Sequence, residues 1–251
     1  MSKDSKIVLA YSGGMDSTVL LHMAASKPGL EIHTLSFDYG QRHRKELECV
    51  GKQLDDVRNR YPDKKVYNKV IDVSYIKEIA SKSSLTNFSI DNPVIKEMAG
   101  DAQPVSYVPF RNMMFLSIAC AYAETLECTN VWYGAAQADS LAGYWDGSLE
   151  FLLSVNQLIM LNRKSKISID APLLKMSKQQ IIATGVELQV KFGDTWTCYS
   201  NREDGLADAD TPSSSLRLRG FIEAGYKDPI KYAQQDKINK IYEVKRCKSI
   251  P

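Results

Sequence analysis

The residues with the most chemical content stand near the N-terminus: Ser12-Gly13-Gly14-Met15-Asp16-Ser17-Thr18. Two glycines without Cβ atoms let a backbone turn sharply and approach an anion closely. Ser12, Ser17 and Thr18 add hydroxyl donors, and Asp16 adds a carboxylate able to hold Mg²⁺ beside phosphates. Ahead of them Ile7 to Tyr11 reads as a buried parallel strand, and behind them Val19 to Ala25 reads as a helix. That junction gathers unpaired N–H groups at the positive end of a helix dipole, which attracts phosphate. A plain glycine turn before a helix is the alternative, but it leaves the acid and the hydroxyls unexplained. No Gly-Lys-Ser/Thr ends the loop and no G-x-G-x-x-G is present, so the Walker and dinucleotide loops are excluded.

The elements that must position this loop follow from the pattern of apolar residues. Glu31–Phe37 is the second strand, and it delivers Asp38-Tyr39-Gly40-Gln41-Arg42-His43 to the carboxyl edge where open α/β sheets bind ligands. Gln41, Arg42 and His43 open the next helix, which carries Leu47, Val50, Leu54 and Val57 at helical spacing. Lys65–Ile71 is the third strand, giving βαβαβ and hence a parallel sheet. Residues 82–106 form a long polar loop. Arg111 and Asn112 then open a helix to Leu126, Asn130–Gly134 is the fourth strand, and a loop from Ala135 to Ser148 precedes a helix from Leu149 to Leu161. Lys166–Ile169 is a short fifth strand, and Ser177-Lys178-Gln179-Gln180 is a capping-box pattern for a helix near Ile181. A loop from Asp194 to Pro212, a helix to Gly225 and a helix over Lys231–Val244 complete the chain. The fold expected is α/β, a doubly wound, mostly parallel five-stranded sheet (1–193) with a small helical C-terminal appendage (194–251), or both as one domain.

Composition bounds the partners. In 251 residues, 32 basic and 30 acidic side chains leave a net charge of +2, so no global field draws the chain to nucleic acid or membrane. No apolar run approaches the roughly 20 residues of a membrane span, and no signal peptide precedes Ile7, so a cytoplasmic location is expected. The five cysteines are dispersed and form no C-x-x-C, which argues against a disulfide framework and a sequence-local zinc site. Cys120 lies in an apolar run and reads as a small core residue.

Ser-Gly-Gly-x-Asp-Ser resembles the pyrophosphate loop of the N-type ATP pyrophosphatases. Over nearly its full length the chain resembles the 7-cyano-7-deazaguanine synthases, the QueC family. The likeness is carried by Ser12–Ser17, Phe37-Asp38-Tyr39-Gly40-Gln41-Arg42-His43, Ser83–Thr86, Tyr107-Val108-Pro109-Phe110-Arg111-Asn112, Gly143-Tyr144-Trp145-Asp146, Ala171-Pro172-Leu173, Thr195–Tyr199 and Leu216-Arg217 with Gly220-Phe221. The first motif belongs to the whole superfamily, and the second is far more specific.

The resemblance implies an ATP- and Mg²⁺-dependent ligase that adenylates 7-carboxy-7-deazaguanine and passes the acyl group to an amine. Tyr11, Ser12, Gly13, Gly14, Met15, Asp16, Ser17 and Thr18 would surround the phosphates, with Asp16 near the Mg²⁺; Ser36, Phe37, Tyr39 and Gln41 would lie by the adenosine. Phe37 fits core packing equally well. Arg42, His43, Tyr107, Asn112, Gly134, Asp139, Tyr144 and Asp146 would lie on the substrate side, Asp139 and Asp146 being suited to the N–H edge of a deazapurine or simply to solvent. His43 fits either proton transfer or a helix-start surface. Arg111 has a fork that matches phosphate or carboxylate, or a structural ion pair. Lys178 matches a family lysine, or is a first-turn surface residue. Asp16, Ser17, Arg111 and Lys178 are the catalytic candidates.

The family also carries a structural zinc on four cysteines. Here Cys198 is present, but the three remaining places hold Asp208, Thr211 and Ser214, and Gly147 follows Asp146 where the family has another cysteine. Structural zinc requires Cys or His, so none is expected. The acidic stretch 202–212 reads as a mobile or partner-ordered rim that admits a large amine. A protein or other macromolecular acceptor is therefore expected, a role that related proteins in antiviral operons make plausible, with ammonia as the alternative acceptor. A homodimer is left open. A tRNA-modifying thiolase or lysidine ligase, or a non-catalytic nucleotide-binding module, are the competing classes; the low charge and the intact loop weigh against them.

Overall fold

The computed structural model describes residues 5–41, 45–87, 89–90, 105–137, 144–198, 202 and 204–250. Five parallel strands, β1 (Ser5–Ala10), β2 (Leu30–Asp38), β3 (Val66–Asp72), β4 (Asn130–Trp132) and β5 (Ser168–Asp170), lie in the order β3-β2-β1-β4-β5. β1 is central. On one side the chain winds outward through β2 and β3, on the other through β4 and β5, so a crevice opens at the carboxyl end between β1 and β4.

Side-chain alternation along β1 explains the two layers. Ile7 and Leu9 face a cluster with helices α1 (Met15–Ala25) and α2 (Lys45–Arg60). Val8 faces the opposite cluster, with α3 (Ile76–Ile79), α4 (Arg111–Thr125) and α5 (Leu149–Ile159). α6 (Lys178–Glu187) and α7 (Pro212–Glu223) join the first layer through Ile181, Ile182 and Phe221. α8 (Gln235–Lys245) belongs to a third cluster, in which Trp196, Cys198, Tyr232 and Tyr242 pack around Cys49 of α2. Among the described residues no helix is long and apolar enough to cross a membrane.

The expected elements are all found, with shifted ends: β4 stops at Trp132 rather than Gly134, α8 starts at Gln235 rather than Lys231, and three further starts differ. β5 starts two residues late, because Ser168 and Ile169 are the first to pair with β4. α6 starts at Lys178, directly after Ser177, whose side chain and that of Gln180 form the reciprocal capping box. α2 starts at Lys45, so Gln41 lies in the preceding turn. Cys120 is half-buried and packs against the second cluster.

Candidate active site

The anion loop is built almost entirely from its own atoms. β1 continues straight into it, with the Tyr11 N–H on the Leu35 carbonyl at 2.9 Å. Gly13 takes a left-handed φ of 81°, and a Cβ there would sit 2.2 Å from the Glu46 carbonyl oxygen, so the position requires glycine. Gly14 caps α1; its N–H donates to Ser12 Oγ, and Ser17 Oγ donates to the Gly14 carbonyl. Ser12 and Ser17 hydroxyls lie 3.1 Å apart. The first-turn N–H groups of α1 consequently point at the crevice without intrahelical partners. Gly134, just past β4, packs 3.5 Å from the Ser17 backbone by the measure of an added Cβ.

Asp16, in that first turn, accepts from Lys178 Nζ at 2.5 Å. Its second oxygen, Oδ1, is buried with no hydrogen-bond partner among the described residues. An orphaned carboxylate oxygen beside an anion loop is a fit for a hard cation that completes its shell with phosphate oxygens. Lys178 is thereby a site residue and not a free surface lysine.

These groups open onto a cleft of about 320 Å³ that Met15, Phe37, Tyr39, Gln41, Tyr107, Arg111, Asn112, Tyr144 and Asp146 also line. Phe37 serves core and cleft together, stacked on Phe115 with centroids 4.1 Å apart. Arg111 donates to Tyr39 Oη at 3.2 Å. It opens α4 directly after Phe110, a bulky residue at φ 55° whose N–H donates to Tyr107 Oη. Trp145 Nε1 donates to the same hydroxyl at 2.7 Å, and Tyr144 Oη lies 2.9 Å from Ser106 Oγ. Asp146 sits in a 3₁₀ turn and is 4% exposed. Burial raises its pKa and the Arg111 charge opposes the rise.

Several candidates stand apart from the cleft. Thr18 and Ser36 are fully buried behind it; Thr18 meets Tyr11 Oη at 3.3 Å, supporting the loop from beneath. Gln41 lines the cleft, but its amide is engaged, accepting from Tyr39 N–H and donating to the Phe37 carbonyl. It shapes the turn after β2. Arg42, His43 and Asp139 lie outside the described residues, as do Gly143 and Tyr199 of the family motifs.

Two contributors were not anticipated. Glu46, in the first turn of α2, lines the cleft beside Gly14. Crowding by protein atoms pushes its pKa up to about 7 against the pull of Arg111. The second is the cover, where Thr197, Thr211, Pro212, Ser213, Leu216 and Arg217 close one side. Arg217 and Asp228, both 0% exposed, form a two-bond ion pair at 2.7 and 2.9 Å. Arg217 also donates to Thr195 Oγ1 and the Phe192 carbonyl, and Tyr232 donates to Asp228.

Cys198, Asp208, Thr211 and Ser214 do converge. Cys198 Sγ accepts from Asp208 N–H at 3.2 Å and meets Thr211 Oγ1 at 3.8 Å, and Thr211 donates to Ser214 Oγ at 2.8 Å. Among the described residues no three His, Cys, Asp or Glu side chains are grouped to hold a metal. The stretch 204–210 is anchored, correcting the expectation of a loose rim. Ala207 is fully buried and pairs with Lys231 and Ala233, while Gln234 donates to Asp208. The acids there act as turn formers: Asp204 accepts from Leu206 N–H and Asp208 from Asp210 N–H.

Comparison with known proteins agrees with this geometry. The family model described as "Queuosine biosynthesis protein QueC" matches residues 6–225. The 7-cyano-7-deazaguanine synthase of Clostridium kluyveri is 40% identical over 233 residues, covering 90% of this chain and 97% of that one. That of Thermoplasma volcanium is 37% identical, covering 91% of each. Among solved structures, the U34-tRNA thiolase NcsA from Methanococcus maripaludis aligns at 12% identity and a TM-score of 0.49, over 98% of this chain and 72% of that one. A match running from the first strand of the sheet to the end of α7 takes in the loop, the cleft and the cover together, and the chain is a member of the QueC family.

Proposed function

We propose that this chain is an ATP-dependent carbon–nitrogen ligase acting on 7-carboxy-7-deazaguanine. A carboxylate is a poor electrophile because its leaving group would be oxide. Attack of the carboxylate on the α-phosphorus of ATP breaks the bond to pyrophosphate and gives an acyl adenylate. An amine then forms the C–N bond and AMP leaves. The supporting observation is the meeting, in one cleft, of an anion loop and an aromatic slot carrying Arg111 and Asp146.

In this reading the α1 N-terminus, Ser12 and Ser17 receive the charge growing on pyrophosphate, donors fixed before the reaction begins. Asp16, oriented by Lys178, would hold the Mg²⁺ that accompanies ATP and would help neutralise the phosphate charge. Arg111 faces the reacting phosphate and carboxylate, and Tyr39 keeps its fork in place. Asp146 accepts from the N–H edge of the deazapurine, with Tyr107, Asn112, Gly134 and Tyr144 shaping the slot. Residues 1–193 form the catalytic sheet domain and 194–251 its cover.

The acceptor we favour is an amine on a protein or other macromolecule, because two changes from the family pattern, Thr211 and Gly147, line the cleft, with Asp208 and Ser214 bonded to Thr211. The anchoring of residues 204–210 favours a second reading, an ordinary synthase that uses ammonia. Mass spectrometry of products from purified protein, ATP and 7-carboxy-7-deazaguanine, with and without ammonium, tests both. Efficient 7-cyano-7-deazaguanine formation from ammonium selects the second reading, and absence of carboxylate-dependent AMP and pyrophosphate ends both.

A further inference from the structure

Aminolysis of an acyl adenylate sheds a proton from the attacking nitrogen, and among the described residues the groups assigned so far leave no acceptor for it. Asp16 is held by Lys178. Asp146, which lines the cleft, is engaged by the deazapurine edge in the reading above. Tyr39 accepts from Arg111, and burial raises its pKa. Arg111 is a permanent cation. Glu46 differs from all of these. It reaches the cleft from the first turn of α2, with Oε1 3.7 Å from where a Gly14 Cβ would stand. Among the described residues its carboxylate has no hydrogen-bond or ion-pair partner. The groups that bear on it are Arg111 on α4, Tyr39 after β2 and Cys49 on its own helix.

The geometry points to Glu46 as the general base of the second half-reaction, resting on the ligase reading above. The amine nitrogen bonds to the acyl carbon, the C–O bond to AMP breaks with its electron pair left on the phosphate oxygen, and the nitrogen's proton passes to the Glu46 carboxylate. Solvent receives that proton when the products leave. In that reading the phosphates lie on the loop side of the cleft, so a carboxylate beside Gly14 stands on the side from which AMP leaves. An acid titrating near 7 is half ionised at neutral pH and can both take and release a proton there.

The test separates the two half-reactions in the full chain with Glu46→Gln and Glu46→Asp. Adenylation is read as carboxylate-dependent exchange of labelled pyrophosphate into ATP. Transfer is read as single-turnover amide formation with ammonium chloride or glycinamide, whichever the wild type uses faster. The expected result for Glu46→Gln is exchange within about threefold of wild type and transfer slowed about 10²-fold or more. Wild-type transfer should fall below about pH 7, and Glu46→Asp, if it keeps the base at reduced reach, should retain that acid limb. Equal loss of exchange and transfer would place Glu46 in ATP binding and overturn the proposal. So would unchanged transfer, or a wild type that makes the adenylate and transfers it to neither amine. Failure of the wild type to exchange pyrophosphate would instead overturn the ligase reading beneath it.

Discussion

The anion loop and the cover face each other across one cleft, yet they are held by opposite means. From Ser12 to Ser17 the backbone and hydroxyl bonds that shape the loop span at most five residues, Asp16 alone reaching outside it to Lys178, and its turn depends on one left-handed glycine. The cover depends on partners far apart in the chain, centred on a fully buried ion pair and a cysteine set among hydroxyls and backbone N–H groups. Chemistry in the loop should therefore be separable from stability, and stability in the cover from chemistry.

The largest expected effect is on the cover. Arg217→Met strands Asp228 as a buried, uncompensated charge, a loss of about 3–5 kcal/mol. For a chain of this size that lowers the melting temperature by about 6–20 °C. A drop of only a degree or two on a thermal melt would erase the contrast.

The loop comes next. Asp16→Asn should slow pyrophosphate release about 10²-fold, roughly 2.7 kcal/mol, because it removes the carboxylate that positions the metal. Its melting temperature should stay within a few degrees of wild type. The phosphate product should be AMP with pyrophosphate; ADP as the main product would break the assignment of the loop.

Glu46 lies where the two regions meet and sharpens the comparison through pH. Its folded pKa of about 7 stands above the ordinary 4.5. The folded state therefore keeps the proton longer than the unfolded chain. The cost of the crowded carboxylate is absent below about pH 4.5 and fully present above about pH 7. Glu46→Gln should melt higher than wild type at pH 8, by up to about 3 kcal/mol, and the two should converge at pH 4.5. A constant difference across that range would show that the acid does not titrate as described.

The smallest expected effect is none. A strong chelator should leave the melting temperature unchanged, and metal analysis should find no stoichiometric zinc, since a structural zinc contributes folding free energy directly. One zinc per chain would mean that Cys198 recruits ligands beyond Asp208, Thr211 and Ser214.

The legibility of the two regions in the sequence follows the same division. Strand–glycine–helix order, the Ser177–Gln180 capping box and the apolar periodicity of α2 are local signals, and each placed its element within a few residues. Lys178 on Asp16, across two packed helices, and Arg217 on Asp228, from a helix to the loop that follows it, could not be read, because neither pairing leaves a spacing to count. Glu46 was overlooked for a related reason. It follows Gln41-Arg42-His43 as one more polar residue on an amphipathic helix, and only packing against Gly13 turns it to the cleft. The acids of 204–210 misled because composition counted their charge, whereas two of them act by accepting neighbouring N–H groups.

The separation between Asp16 and Lys178 sets a schedule for the nascent chain. The two are 162 residues apart. At about 5–20 residues per second of synthesis, roughly 10–30 s pass between the emergence of the acid and that of its lysine. Through that interval β1, β2 and β3 can pair while the anion loop holds an unpartnered carboxylate. The active site is thus among the last parts of this protein to be completed, and a truncated or stalled product would carry the phosphate loop without the cation that orders it.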